Sequence, residues 1–174
     1  CINRLDRDTT GALILAKNPY SAAVLSAQMK QRQIRRTYLA IVQGITPEQG
    51  TIDAPIGRAA DSTIERQVDF TNGESAVTHY ERLATYHSYS LIELHLETGR
   101  THQIRVHMAS IGHPLLGDEL YGNPKNLAMK GLQGQTLHAM IIGFVHPSTH
   151  EYMEFEAPLP EYFQNLLLKL SKQS

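Results

Sequence analysis

An α+β fold, with a mixed, mostly antiparallel central sheet and a few flanking helices, is the architecture this sequence predicts. Three observations carry it. Segments with strand patterning come in runs separated by single helical segments, the order expected of α+β chains rather than of regular βαβ units. Strand candidates such as Leu94-His95-Leu96-Glu97 alternate apolar and polar residues, which lays one face on a core. The chain has 174 residues, 41% of them hydrophobic and 19% charged, which fits one globular domain with a sizeable buried core.

Each element has its own local reason. The apolar run Ala12 to Lys17 is expected to form a buried strand. Asn18 offers an N-cap and Pro19 a first helical residue. Tyr20, Ala23, Val24 and Ala27 then recur at helical spacing, up to a basic turn at Lys30 to Arg36. Thr37 to Val42 is apolar on both faces, as a central strand is. Residues 57–75 are polar and turn-rich and predict an exposed hairpin or loop.

Ser75 to Leu83 and Leu91 to Glu97 are expected to pair as strands. Thr101 is placed to cap a helix whose Ile104, Met108 and Ile111 form one face and which Gly112 stops. Gly117 to Gly134 reads as loop, and Leu137 to Phe155 as a hairpin turning at Pro147-Ser148-Thr149. Pro160 to Leu170 closes the chain with an amphipathic helix. Neither internal repeats nor low-complexity tracts interrupt this order.

Composition excludes several classes. No apolar run approaches the roughly 20 residues that a membrane-spanning helix needs, so no membrane partner is expected. Cys1 is the only cysteine, which leaves no disulfide framework or thiolate metal site and makes a reducing cytoplasm the default setting. Nine histidines invite a metal, but His102, His107 and His113 do not share one helical face, and no zinc motif accompanies them. No metal site is expected. The glycines form no Walker or dinucleotide fingerprint, so no nucleotide cofactor is expected either.

The net charge of −1 argues against a uniformly polyanion-binding surface. Its distribution does not. Residues 1–36 carry seven Lys+Arg against two acids, a net of +5, while the remainder carries nine against fifteen, a net of −6. Such asymmetry gathers positive potential on one face, although a solvated helix end at Lys30 to Arg36 accounts for the charge equally well.

Arg4-Leu5-Asp6, running through Arg7-Asp8-Thr9-Thr10-Gly11 into an apolar segment, sets a carboxylate between two arginines on a polar loop. Neighbouring positive charge favours the ionised acid, the state a nucleophile or an electrostatic stabiliser needs. A second stretch, Leu96-Glu97-Thr98-Gly99-Arg100-Thr101-His102-Gln103-Ile104-Arg105-Val106-His107-Met108, sets two arginines and two histidines around a strand-to-helix junction. With Arg36-Thr37-Tyr38-Leu39-Ala40-Ile41-Val42-Gln43-Gly44, these motifs closely resemble the RluA-type RNA pseudouridine synthases, in that family's order and from Asn3 to about Leu168.

The resemblance implies an α+β catalytic domain that isomerises uridine to pseudouridine within ribosomal or transfer RNA and uses no cofactor. It makes Asp6 the catalytic nucleophile, Arg105 the ion-pair partner that keeps Asp6 ionised, and Tyr38 the ring against the target base. Arg4 is implied to enter the space that a flipped uridine leaves. Arg100 is expected near phosphates at the helix start, and Arg7, Arg35, Arg36 and His102 complete the expected RNA contacts. The family commonly has His where Asn3 stands; Asn keeps hydrogen-bonding capacity but loses the ring. Family members usually carry an earlier strand with an Asn-Lys-Pro signature and often a small basic RNA-binding domain. Residues 1–174 are therefore expected to be one catalytic domain without its N-terminal portion. The 57–75 segment lacks the basic character of its family counterpart.

Two other readings stand beside this one. An RNA-binding module, or a truncated domain that binds without turnover, would need the same surface but not a complete set of catalytic groups. A glycoside or phosphodiester hydrolase would need a second carboxylate, for which Asp8 is the nearest candidate.

Overall fold

The computed structural model describes residues 1–123 and 131–172. A mixed seven-stranded sheet organises the chain. Its strands run in the order β1 (Thr10–Gly11), β8 (Leu137–Val145), β2 (Arg35–Gln43), β7 (Tyr89–Leu96), β6 (Val77–Tyr86), β3 (Gln49–Asp53), with β9 (Tyr152–Glu156) also paired to β8. Only β1 on β8 is parallel. The segment expected to be an exposed hairpin forms a separate two-stranded ladder, β4 (Ile56–Arg58) with β5 (Arg66–Val68). Among the described residues three helices flank the sheet: α1 (Pro19–Lys30), α2 (Gln103–Ser110) and α3 (Glu161–Ser171).

Alternation along β2 shows how the sheet is covered on both sides. Tyr38, Ala40 and Val42 join Ile92, Leu94, Ile104 and Met108 in one core beneath α2. Leu39 and Ile41 join Phe163, Leu166 and Leu170 in a second core beneath α3. Successive side chains of a strand point to opposite faces, so a run that is apolar at every position needs a helix on each side. The expected central strand, hairpins and closing helix are all present.

Three expectations need correction. Ala12 to Lys17 does not continue the strand: pairing stops after Gly11, and Leu13 and Leu15 are exposed. The reason lies on β8, whose outer edge pairs with β1 at His138 and Ala139 and is then taken over by β9 from Ile141 onward. Ala12 N–H still donates to Ala139 O at 2.9 Å, and beyond it Ile14 bonds back to the first residues, through Ile2 N–H to Ile14 O and Ile14 N–H to Asn3 Oδ1.

On α1, Asn18 does cap Ser21 N–H at 2.8 Å, but the buried residues are Leu25 and Gln28 rather than the Tyr20, Ala23, Val24, Ala27 stripe. Gln28 binds both backbone groups of Val145, at 2.8 and 3.0 Å. Apolar periodicity cannot see a face that docks through an amide.

Helix α2 also starts differently from its sequence reading. His102, in the left-handed region at φ 57°, holds the N-cap position in place of Thr101. The turn before it is closed by Gln103, whose Oε1 accepts Arg100 N–H at 2.9 Å and the Thr98 hydroxyl at 2.8 Å. Ile104 and Met108 are buried, while Ile111 is partly exposed. The Gly117–Gly134 loop is formed by turns where it is described; residues 124–130 of that expectation lie outside the described residues.

Candidate active site

The sheet face beneath α2 opens beside β2 into a cleft of about 590 Å³. Its wall is assembled from distant parts of the sequence: Arg4, Leu5 and Asp6 from the first loop, Arg36 and Tyr38 from β2, and Leu96 to Ile104 from the turn into α2. A volume of this size suits a small planar ligand with part of its chain.

The loop that presents Asp6 is pinned from several sides. Thr9 N–H closes a turn on Asp6 O at 3.0 Å. Gln135 donates to Arg7 O at 2.7 Å and to the Thr9 hydroxyl at 3.0 Å. Thr10 and His138 bond across β1 and β8 at 2.8 Å. Gly11 sits at φ 118° with the carbonyl of Ala139 where a Cβ would lie, so this parallel crossing admits only glycine. The carboxylate is thus held on fixed backbone and remains partly open to the cleft.

Arg105 reaches that carboxylate from α2, with Nη1 3.6 Å from Asp6 Oδ2. Its strongest contact is elsewhere. Nε and Nη2 bind the two oxygens of Asp118 at 2.7 and 2.9 Å, in a pair where Asp118 is fully buried. Burial opposes the guanidinium charge, but hydrogen bonds and charge from Asp118, with help from Asp6, more than offset it and raise the Arg105 pKa. Arg105 is therefore shared by two carboxylates rather than dedicated to Asp6.

Asp118 and Tyr121 are site residues that sequence reading missed. Asp118 Oδ1 also accepts the N–H groups of Leu120 and Tyr121, at 3.0 and 3.1 Å. The Tyr121 ring lies 5.1 Å beneath the Arg105 guanidinium. Its hydroxyl accepts Arg66 N–H at 2.8 Å and shares a hydrogen bond with His102 Nδ1, also at 2.8 Å. Burial lowers the His102 pKa against the pull of Asp6. A Gly-Asp-x-x-Tyr-Gly turn in the sequence was the available signal, and a loop reading passed over it.

Tyr38 lines the cleft and is 7% exposed. Burial pushes its phenol above the ordinary value, Arg36 opposes that rise and Asp6 adds to it. The group is a neutral hydroxyl at physiological pH.

The expected RNA-contacting residues divide. Arg4, Arg36, Arg100 and His102 line the cleft. Arg7 and Arg35 do not: the first pairs with Asp8 and the second with Glu154, at 3.3 and 2.9 Å. Arg100 is itself engaged, by Glu74 and by Ser75 O. Lys30 and Arg32 line the cleft without having been singled out. Asp8, the candidate for the second carboxylate of a hydrolase, is not among the lining residues; Glu97 is, and its oxygens pair with Arg32 and His79, both at 2.7 Å. Among the described residues, no cluster of His, Cys, Asp or Glu is arranged to hold a metal ion, and no helix is long and apolar enough to cross a membrane.

Fold and site together define a class, a mixed α+β sheet with an aspartate loop and a strand tyrosine at one cleft and a buried helix arginine behind the aspartate. Comparison with known proteins names it. The RNA pseudouridylate synthase family model matches residues 1–110. An uncharacterized RNA pseudouridine synthase of Bacillus subtilis, YlyB, is 47% identical over 98% of this chain and 55% of its own length. The ribosomal large subunit pseudouridine synthase D of Haemophilus influenzae is 43% identical over 95% of this chain and 54% of its own. The structure of human RNA pseudouridylate synthase domain containing 4 superposes with a TM-score of 0.79 at 29% identity, covering 97% of this chain and 74% of that one. The chain belongs to the RluA-type RNA pseudouridine synthase family. It spans about half the length of the curated relatives it matches.

Proposed function

We propose that this chain is the catalytic domain of a cofactor-independent enzyme that isomerises uridines to pseudouridine in structured ribosomal or transfer RNA, in a cytoplasmic setting. The observation that carries this reading is Asp6, partly open to a base-sized cleft, with Arg105 at 3.6 Å and Tyr38 in the same wall. A target uridine must leave its stack for its ring to reach such a cleft. Exposed Arg4 is placed on the same loop to occupy the space left behind.

In the reaction the N1–C1′ bond breaks, the uracil turns, and C5 bonds to C1′. C5 loses a proton and N1 ends with one, so atoms balance without a co-reactant. Asp6 supplies a carboxylate as nucleophile or as partner for positive charge at C1′. Arg105 orients that carboxylate and sets a positive charge beside it. Tyr38 stacks on the base; as a neutral phenol it relays the C5 proton by giving up its own. Arg4, Arg36, Arg100 and His102 hold the RNA around it.

The deciding assay is tritium release from C5-labelled uridine in bulk cellular RNA. The parent chain is expected to release tritium and the Asp6→Asn variant to release none above background. Binding of RNA by both without release by either would replace this reading with that of a binding module.

A further inference from the structure

Two arginines are buried among the described residues, and they are treated very differently. Arg105 is met by Asp118. Arg36, 8% exposed, makes one weak bond, Nη2 to Thr98 O at 3.2 Å, and its buried Nε has no hydrogen-bond partner. Burial pulls its pKa below the usual arginine value, with Tyr38 the only group that counters. A cation withdrawn from water without a counter-charge destabilises a fold. Its retention calls for an anion that arrives with the ligand.

The wall beside it is shaped to keep it in place. A Cβ at Gly99 would lie 2.6 Å from Arg36 Nη1. Gly99 does not adopt the positive φ that ordinarily calls for glycine, so the missing side chain is explained by the guanidinium it admits. Arg36 and Tyr38 are two residues apart on β2, about 7 Å along a strand, and both line the cleft. That separation is on the scale of a base and the phosphate next to it.

We propose that Arg36 and Gly99 form a phosphate subsite inside the cleft, which takes a phosphate adjoining the uridine whose base lies against Tyr38 and Asp6. The inference rests on the pseudouridine synthase reading for the source of the anion, since phosphate is the one formal anion RNA carries at neutral pH. It assigns Arg36 a task different from that of Arg4, which meets the RNA at the exposed rim.

The test titrates uridine, uridine 5′-monophosphate and uridine 3′-monophosphate into the chain by NMR at pH 7.5. One of the two phosphates is expected to bind about tenfold tighter than uridine, the gain of a charge-assisted contact. Arg36→Gln should abolish that preference while leaving uridine binding in place, and Arg36→Lys should restore most of it. Gly99→Ala, which displaces Nη1 without removing charge, should weaken the preference too, and serves if Arg36→Gln does not fold. Equal binding of all three ligands by the parent, or an undiminished phosphate preference in both Arg36→Gln and Gly99→Ala, would overturn the subsite. Tritium release from C5-labelled RNA by the same parent preparation would show that only the subsite, and not the isomerase reading, had failed.

Discussion

At the scale of single residues, the site depends on how one guanidinium is divided. Arg105 gives Asp118 its two-point contact and offers Asp6 only Nη1. A carboxylate held fully by a fork-shaped partner has its lone pairs engaged. The arrangement sets a cation 3.6 Å from Asp6 while the carboxylate stays partly open to the cleft. Asp118 is therefore a positioning residue. Replacing it by alanine leaves a buried cation with only its 3.6 Å contact to Asp6 and should cost about 3–5 kcal/mol of stability, read from urea unfolding. Asp118→Asn should lose less stability yet lower kcat at least tenfold with KM for RNA nearly unchanged. Unaltered kcat in that variant would leave Asp118 as scaffold alone. Asp6, Tyr38 and Arg105 were legible in the sequence because motif order brought them together; Asp118 was not, because its role is visible only from the arginine it holds.

At the scale of elements, α2 is fastened by a buried polar line rather than by apolar contacts alone. His107 is fully buried, with Nε2–H donating to Ala54 O at 2.8 Å and Nδ1 accepting from the Thr78 hydroxyl at 2.9 Å. Gln103 ties the helix start to Val77 O and Thr78, both at 3.0 Å. Burial lowers the His107 pKa from its ordinary 6.5. The unfolded chain then binds more protons than the folded one between 6.5 and the lower folded value, so stability rises with pH across that window and is lost as pH falls through it. Urea midpoints should drop between pH 7.5 and 5.5, and the His107→Gln variant should show a flatter dependence. An identical slope in both would assign the effect to other groups. The sequence identified α2 correctly but misplaced its cap, since the αL turn at His102 and the Gln103 clasp arise from strands far away in the chain.

At the scale of the molecule, charge asymmetry resolves into a specific surface. Of the basic residues in the first 36 positions, Arg4, Lys30, Arg32 and Arg36 line the cleft, whereas Arg7 and Arg35 pair with acids away from it. Substituting Arg7 or Arg35 by alanine should leave KM for bulk RNA within about twofold, and substituting Arg4 should raise it about tenfold. KM for the parent should climb with salt as phosphate contacts are screened. Equal effects at Arg4 and Arg35 would deny the cleft its part in RNA capture. What the sequence determined by itself was the kind of fold and the family, because strand alternation, capping and motif order are local properties of the chain. Tertiary structure alone decided the rest: where β1 stops, which face of α1 docks, that Arg105 serves two carboxylates, and that Arg36 is buried without one. Each of these follows from which strand edge, backbone group or counter-charge is brought within a few ångströms, and distance through space is not written in distance along the chain.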